Sequence, residues 1–274
     1  MYYWPFTKYL RNLILNQATI RSRFEFYNWV GAQTKKRTDR ETQRPDFMTE
    51  ILKHNGEKGA ELTPTELRNN SSVFLIAGSE TTASLLSGAT YLLLKNPKVM
   101  QKLKDEVRTR FKAYNDITLD AVNNTPYLLA VLQESLRYFP PVPTGFERRV
   151  GKGGEFVSGY YMPEQTALSV SSWPAGHSEI HFKDAESFIP ERWMDDPEYA
   201  DDHKNAIQPF SFGPRNCLGK NLAYAEMRLI LAKLMWSFDM KLDVKSEDWL
   251  ERCKVWTLWG KPELAVHVTE AAHA

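Results

Sequence analysis

The chain has 274 residues, 42% of them hydrophobic and 25% charged, which suits one large globular domain or two small ones. A formal net charge of +1 provides no broad basic surface for nucleic acid or an anionic membrane. Two cysteines, Cys217 and Cys253, are too few for a disulfide framework, and no apolar run approaches the roughly 20 residues of a membrane span.

No signal peptide opens the chain, so the expectation is a soluble or at most peripheral protein in a reduced compartment. Met1 to about Arg40 reads as helix, crowded with apolar surface from Tyr2 to Ile14 and again from Phe24 to Val30. Lys35-Lys36-Arg37 is followed at once by Asp39 and Glu41, the pattern of a solvated helix end. Pro45 opens a short helix through Lys53, and Asn55-Gly56 turns the chain.

Thr63-Pro64-Thr65-Glu66 is a helix start: a Thr cap, a Pro at the first helical position and a Glu that completes the capping box. No proline follows until Pro97, which allows a long central helix over about 64–95. Its middle changes from the apolar Phe74-Leu75-Ile76 to Ala77-Gly78-Ser79-Glu80-Thr81-Thr82. Ala77 and Thr81 share a face, and small residues there leave room for a ligand. Alone, the segment reads better as a Thr-rich helix turn with an exposed Glu.

Pro97 to Ala113 is amphipathic, with Val99, Leu103, Val107 and Phe111 on one face. Tyr127 to Tyr138 is helical and carries Glu134 and Arg137, an i, i+3 pair ended by Pro140-Pro141. Beyond Pro143 short β-like runs alternate with Gly and Pro. Gly151-x-Gly153-Gly154 reads as a hairpin turn rather than a phosphate loop, because no helix follows it. His177 and His181 lack a third metal donor and read as loop residues; Asp195 to Asp202 reads as an acidic surface meander. The tail from Met240 to Val268 reads as a few strands, with Trp249, Trp256 and Trp259 as core anchors and Cys253 as packing.

The most informative stretch is Pro209-Phe210-Ser211-Phe212-Gly213-Pro214-Arg215-Asn216-Cys217-Leu218-Gly219, followed by an apolar helix over about 219–238. A cysteine entering a helix N-terminus is suited to being a thiolate, because the unpaired N–H groups there favour negative charge. Phe210 and Phe212 would shield its sulfur, and Arg215 offers a positive fork to a carboxylate. Gly213 and Gly219 let the backbone pass close to a flat ligand. On Cys217 alone, a buried structural cysteine in a Gly/Pro turn is the better reading.

Phe210-x-x-Gly213-x-Arg215-x-Cys217-x-Gly219 resembles the haem-binding loop of the cytochrome P450 family. Ala77-Gly78-x-Glu80-Thr81-Thr82 resembles the oxygen-activation motif of that family's central helix. Glu134-x-x-Arg137 and Phe188-x-Pro190-Glu191-Arg192-Trp193 resemble its buried Glu–Arg network. The runs 77–88 and 209–236 resemble fungal microsomal members of natural-product pathways, of the isotrichodermin 15-hydroxylase type.

The resemblance implies a mainly α fold with small β-sheets, forming a single haem-binding domain over 1–274. It implies haem b held by Cys217 as the axial iron ligand, with Arg215 and Arg148 on the propionates and Phe210, Gly219 and Ala77 against the ring. Thr81 would contact dioxygen, Glu80 would help deliver protons, and Glu134, Arg137 and Arg192 would fix the core. Thr144 to Phe146 would line the pocket for an apolar small molecule, and electrons would come from an NADPH–cytochrome P450 reductase. Family members are about twice this length and carry an N-terminal anchor and distal helices that do not appear in this sequence. The expectation is therefore the C-terminal half of such a catalytic domain, without a transmembrane segment, cytoplasmic or peripheral at the endoplasmic reticulum. The alternatives are a weakly haem-binding, largely inactive fragment, a relative that rearranges its substrate without outside electrons, and a binding module without haem.

Overall fold

A computed structural model describes residues 16–40, 42, 45–55 and 61–272. The aromatic run from Tyr2 to Ile14, Glu41 and Gly56 lie outside the described residues. Two compact units divide the chain, Met1–Ala77 and Gly78–Ala274.

In the first unit, α1 (Gln17–Thr38) begins where the Asn16 side chain accepts a 2.7 Å hydrogen bond from the Thr19 N–H. Its basic last turn suits the negative end of the helix dipole. There Lys35 pairs with Asp39 at 2.6 Å, and Arg37 forks both carboxylate oxygens of Asp46 at 2.6 and 2.7 Å. Asp46 also caps α2 (Phe47–His54) through a reciprocal box with Thr49, so this helix starts two residues later than Pro45 suggested. The third helix, α3, runs Pro64–Lys95 for 32 residues. Glu66 accepts from the Thr63 N–H at 2.8 Å while Thr63 Oγ1 accepts from the Glu66 N–H at 3.2 Å, the box expected from sequence.

The second unit holds the main hydrophobic core. Leu85, Leu92 and Leu93 of α3 are buried there. They join Leu103 and Val107 of α4 (Pro97–Arg110), Leu128 and Leu132 of α5 (Pro126–Tyr138), and Met227 and Leu231 of α7 (Lys220–Ser237). The apolar spacing along each helix supplies that face, and its burial is the main stabilising term.

Among the described residues, four two-stranded antiparallel sheets decorate the helices. β1 (Arg148–Arg149) pairs with β4 (Ala167–Leu168), and β2 (Glu155–Val157) pairs with β3 (Tyr160–Met162). The tight turn of that hairpin is Ser158-Gly159, both at positive φ (50° and 83°). Gly151 to Gly154 instead links β1 to β2, with the Gly154 N–H donating to Gly151 O at 3.2 Å. The expected turn is there, but between strands that do not pair with each other. His177 and His181 lie in turns, as expected, but just before them Ser172–Gly176 makes one helical turn, α6, because a proline is tolerated in the first turn of a helix.

The tail crosses back over α3. β5 (Phe238–Leu242) pairs with β8 (Val266–Glu270), and β6 (Lys254–Val255) pairs with β7 (Trp259–Gly260). A helical turn, α8 (Trp249–Arg252), lies between β5 and β6. Trp249 and Trp259 are buried as expected, but Trp256 is 72% exposed, so it is not an anchor. It stands in the connection between β6 and β7 while Trp259, three residues on, turns inward. The Phe139 ring stacks on Trp259 (4.5 Å, 15°) and lies 5.6 Å from Trp249. A Cβ at Gly88 would run into that ring. Gly88→Ala is therefore expected to destabilise the chain by about 1–3 kcal/mol, read as a lower urea midpoint. An unchanged midpoint would mean that Phe139 has room to move.

Candidate functional site

The loop before α7 is shaped by two residues at positive φ, Ser211 (60°) and Gly213 (80°), followed by one tight turn over Gly213–Arg215. The Cys217 N–H donates to Phe210 O at 2.8 Å and closes the loop. Helix α7 then starts at once, capped by Gly219, whose carbonyl accepts from the Ala223 N–H at 2.9 Å. Cys217 is thus held at the entry to a helix as a free, exposed thiol.

Side chains are sparse around the sulfur. A Cβ on Gly219 would have Cys217 Sγ, at 4.0 Å, as its nearest neighbour, and one on Gly213 would meet nothing within 4 Å. Phe210 packs inward, its ring 5.2 Å from Tyr224. Phe212, by contrast, is 80% exposed, so the shielding expected of it is not supplied here; Leu218 is 87% exposed. Arg215 has no ion pair among the described residues. Arg148 reaches the loop from β1, with Nη2 at 3.5 Å from Ser211 Oγ. Neighbouring Arg149 instead donates to Gln165 O at 3.1 Å, so Arg148 is the one turned toward the cysteine loop.

An exposed thiol at a helix start, two side-chain-free positions, two exposed apolar side chains and two nearby cations fit a flat apolar group that carries carboxylates and a thiolate-binding metal. The second cysteine is different in kind. Cys253 is half-buried with Sγ donating toward Trp249 O at 3.4 Å, and desolvation pushes its thiol up to about 11. At pH 8 it stays protonated, so alkylation of the ligand-free chain is expected to mark Cys217 and spare Cys253. Peptide mass mapping reads the outcome, and equal labelling would contradict this division.

Glu80 and Thr81 lie on α3, one turn beyond Ala77. Glu80 Oε1 accepts a 2.6 Å hydrogen bond from Lys261 Nζ, which also donates to Ser84 Oγ at 2.7 Å. Neither Lys261 nor Ser84 was marked by the sequence.

Glu134, Arg137 and Arg192 come together in the interior, each side chain 0% exposed. Glu134 Oε1 accepts from Arg137 Nη2 (2.8 Å), Arg192 Nε (3.2 Å) and the Ile189 N–H (2.8 Å). Its Oε2 accepts from Arg137 Nε (2.9 Å) and the Trp193 indole (2.8 Å). The remaining Arg137 N–H groups donate to the carbonyls of Gly176, Ala185 and Ser187 at 2.6, 2.7 and 2.8 Å. Arg192 also pairs with Asp202, whose side chain is 1% exposed. Asp202 therefore belongs to this network and not to an acidic surface meander. Glu191, next to Arg192, turns outward to Lys102 at 2.5 Å. His177 is held by Tyr138 O at 2.9 Å and by Glu186 at 3.1 Å, and no cluster of metal-binding side chains occurs among the described residues.

A sequence model of the cytochrome P450 family matches residues 1–267. The chain belongs to the cytochrome P450 family. It is 56% identical over 266 residues to cytochrome P450 monooxygenase traB of Penicillium crustosum, covering 96% of this chain and 52% of that protein. It is 44% identical over 240 residues to a trichothecene C-15 hydroxylase of Fusarium sporotrichioides, covering 87% and 49%. With an averantin hydroxylase of Dothistroma septosporum it shares 40% over 259 residues, covering 93% and 49%. The chain thus spans about half the length of the curated relatives it matches. No described helix is long and apolar enough to cross a membrane.

Proposed function

We propose that this chain carries the haem-ligating loop and the proton-delivery helix of a monooxygenase that hydroxylates an apolar small molecule in a natural-product pathway. The observation that carries this reading is the exposed Cys217 thiol at the entry to α7, flanked by Gly213, Arg215 and Gly219. The hydroxylase names of the relatives support the reaction class.

Cys217 would bind the iron of haem b through Sγ, as a thiolate favoured by the helix start. Arg215 and Arg148 would each orient a propionate, while Gly213 and Gly219 leave the ring room to approach the loop. Bound haem supplies the redox chemistry, in which dioxygen takes two electrons and two protons and one oxygen atom enters a C–H bond while the other leaves as water. Phe210, packed on Tyr224, would exclude water from one side of the loop. On α3, Ala77 leaves room on the helix face, the Thr81 hydroxyl donates a hydrogen bond, and the Glu80 carboxylate holds a proton and passes it on. Glu134, Arg137 and Arg192 do no chemistry; they fix the packing of α5 beneath the loop segments. Electrons would come from an NADPH–cytochrome P450 reductase at the endoplasmic reticulum membrane, where the chain would work as one haem-binding domain.

The reading is tested by incubating the haem-loaded chain with reductase, NADPH and oxygen-18 gas over a panel of apolar polycyclic natural products. One oxygen-18 atom per product molecule is the expected result. Products that lack the label, or that form without NADPH, would point to substrate rearrangement instead.

A further inference from the structure

We infer that Lys261 is a positioning residue for Glu80, holding its carboxylate on α3 so that one oxygen is fixed and the other stays open to a proton-carrying water. The inference rests on the reading of Glu80 as a proton carrier and extends it to a residue far away in the sequence.

An exposed Lys–Glu pair usually contributes little, because two flexible side chains must be ordered to make it. Lys261 is arranged differently. Its side chain is only 17% exposed, and Nζ bridges Glu80 Oε1 (2.6 Å) and the buried Ser84 Oγ (2.7 Å), which lie one helical turn apart. The backbone on either side is pinned. Before it, the Trp259 indole donates to Pro140 O at 2.7 Å and its ring stacks on Phe139. After it, the carbonyl of Pro262 accepts from the Trp249 indole at 3.0 Å. The ordering of Lys261 therefore comes with the folding of the tail.

Glu80 is 48% exposed and rests on that fixed ammonium. Its Oε2 has no hydrogen-bond partner among the described residues. Held through Oε1, the carboxylate keeps one rotamer beside Thr81 and presents Oε2 to water. Released, it would sample several rotamers, and few of them would suit transfer.

Two readouts separate holding from function. Carbodiimide labelling of Glu80 is read by mass spectrometry on the chain, with or without haem. Lys261→Gln removes the ammonium charge and shortens the side chain, which weakens its hold on the carboxylate, so labelling is expected to rise several-fold, and Lys261→Arg is expected to restore protection. Equal labelling of wild type and Lys261→Gln overturns the proposal. The second readout is how the haem-loaded chain, with reductase and NADPH and no added substrate, divides consumed oxygen between hydrogen peroxide (two electrons, two protons) and water (four of each). Lys261→Gln and Glu80→Gln are both expected to raise the peroxide share several-fold, and Lys261→Arg to bring it back. If only Lys261→Gln leaves the share unchanged, the positioning role is overturned. If Glu80→Gln also leaves it unchanged, the proton-carrier reading fails and the proposal falls with it.

Discussion

Glu134→Ala is expected to remove most of the stability of the second unit. The carboxylate sits between the guanidinium groups of Arg137 and Arg192, all three side chains 0% exposed. Removing it leaves Arg137 with its carbonyl partners but no counter-charge, and Arg192 with Asp202 as its one remaining carboxylate beside the carbonyls of Lys183 and Asp184. Breaking a buried pair by deleting one partner typically costs about 3–5 kcal/mol, because the surviving charge stays desolvated. The Trp193 indole and the Ile189 N–H also lose their acceptor. Against a total of about 5–15 kcal/mol for a natural domain, such a loss comes close to unfolding. Glu191→Ala is the matched control. Its side chain is 26% exposed, pairs with Lys102 and accepts from the Tyr127 hydroxyl at 3.1 Å, so its removal is expected to cost about 1–2 kcal/mol, less than that of Glu134. Urea unfolding followed by circular dichroism compares the two. A Glu134→Ala midpoint as close to wild type as that of Glu191→Ala would contradict a stabilising role for the network.

Cys217→Ser is expected to have the largest functional effect while leaving stability nearly unchanged. Sγ is exposed and touches no core side chain, and the loop is closed by the backbone bond from Cys217 N–H to Phe210 O, which serine keeps. The unfolding midpoint should therefore stay within about 0.5 kcal/mol of wild type, as for other surface changes. A serine hydroxyl is not a thiolate, so the haem-binding signature should be lost. A variant that lost its fold instead would show that the thiol has a packing role not visible in its contacts.

Some of this architecture is legible in the sequence because it is local. The bounds of α3 follow from Thr63, Pro64 and Glu66 at one end and Pro97 just past the other, all read within a few residues. The cysteine loop is legible because Gly213 takes a positive φ, Pro214 fixes its own φ, and Cys217 stands at a helix start. The Glu134, Arg137 and Arg192 contacts needed a family resemblance, since an i, i+3 Glu–Arg pair alone reads as a solvated contact. Asp202 stayed hidden among exposed acids, because burial depends on where the chain folds back, not on neighbours in sequence. Lys261 and Glu80 are 181 residues apart, and no pattern in either segment points to the other. Trp256 and Trp259 look alike in sequence, and only the β6–β7 pairing decides which one turns inward.

The most direct test of the account is the carbon monoxide difference spectrum of the purified, haem-loaded and reduced chain. A strongly red-shifted Soret band that disappears in Cys217→Ser is the predicted result, since it reports a thiolate on the iron. No band, or one typical of histidine-ligated haem, would contradict the assignment of Cys217 as the ligand in this chain.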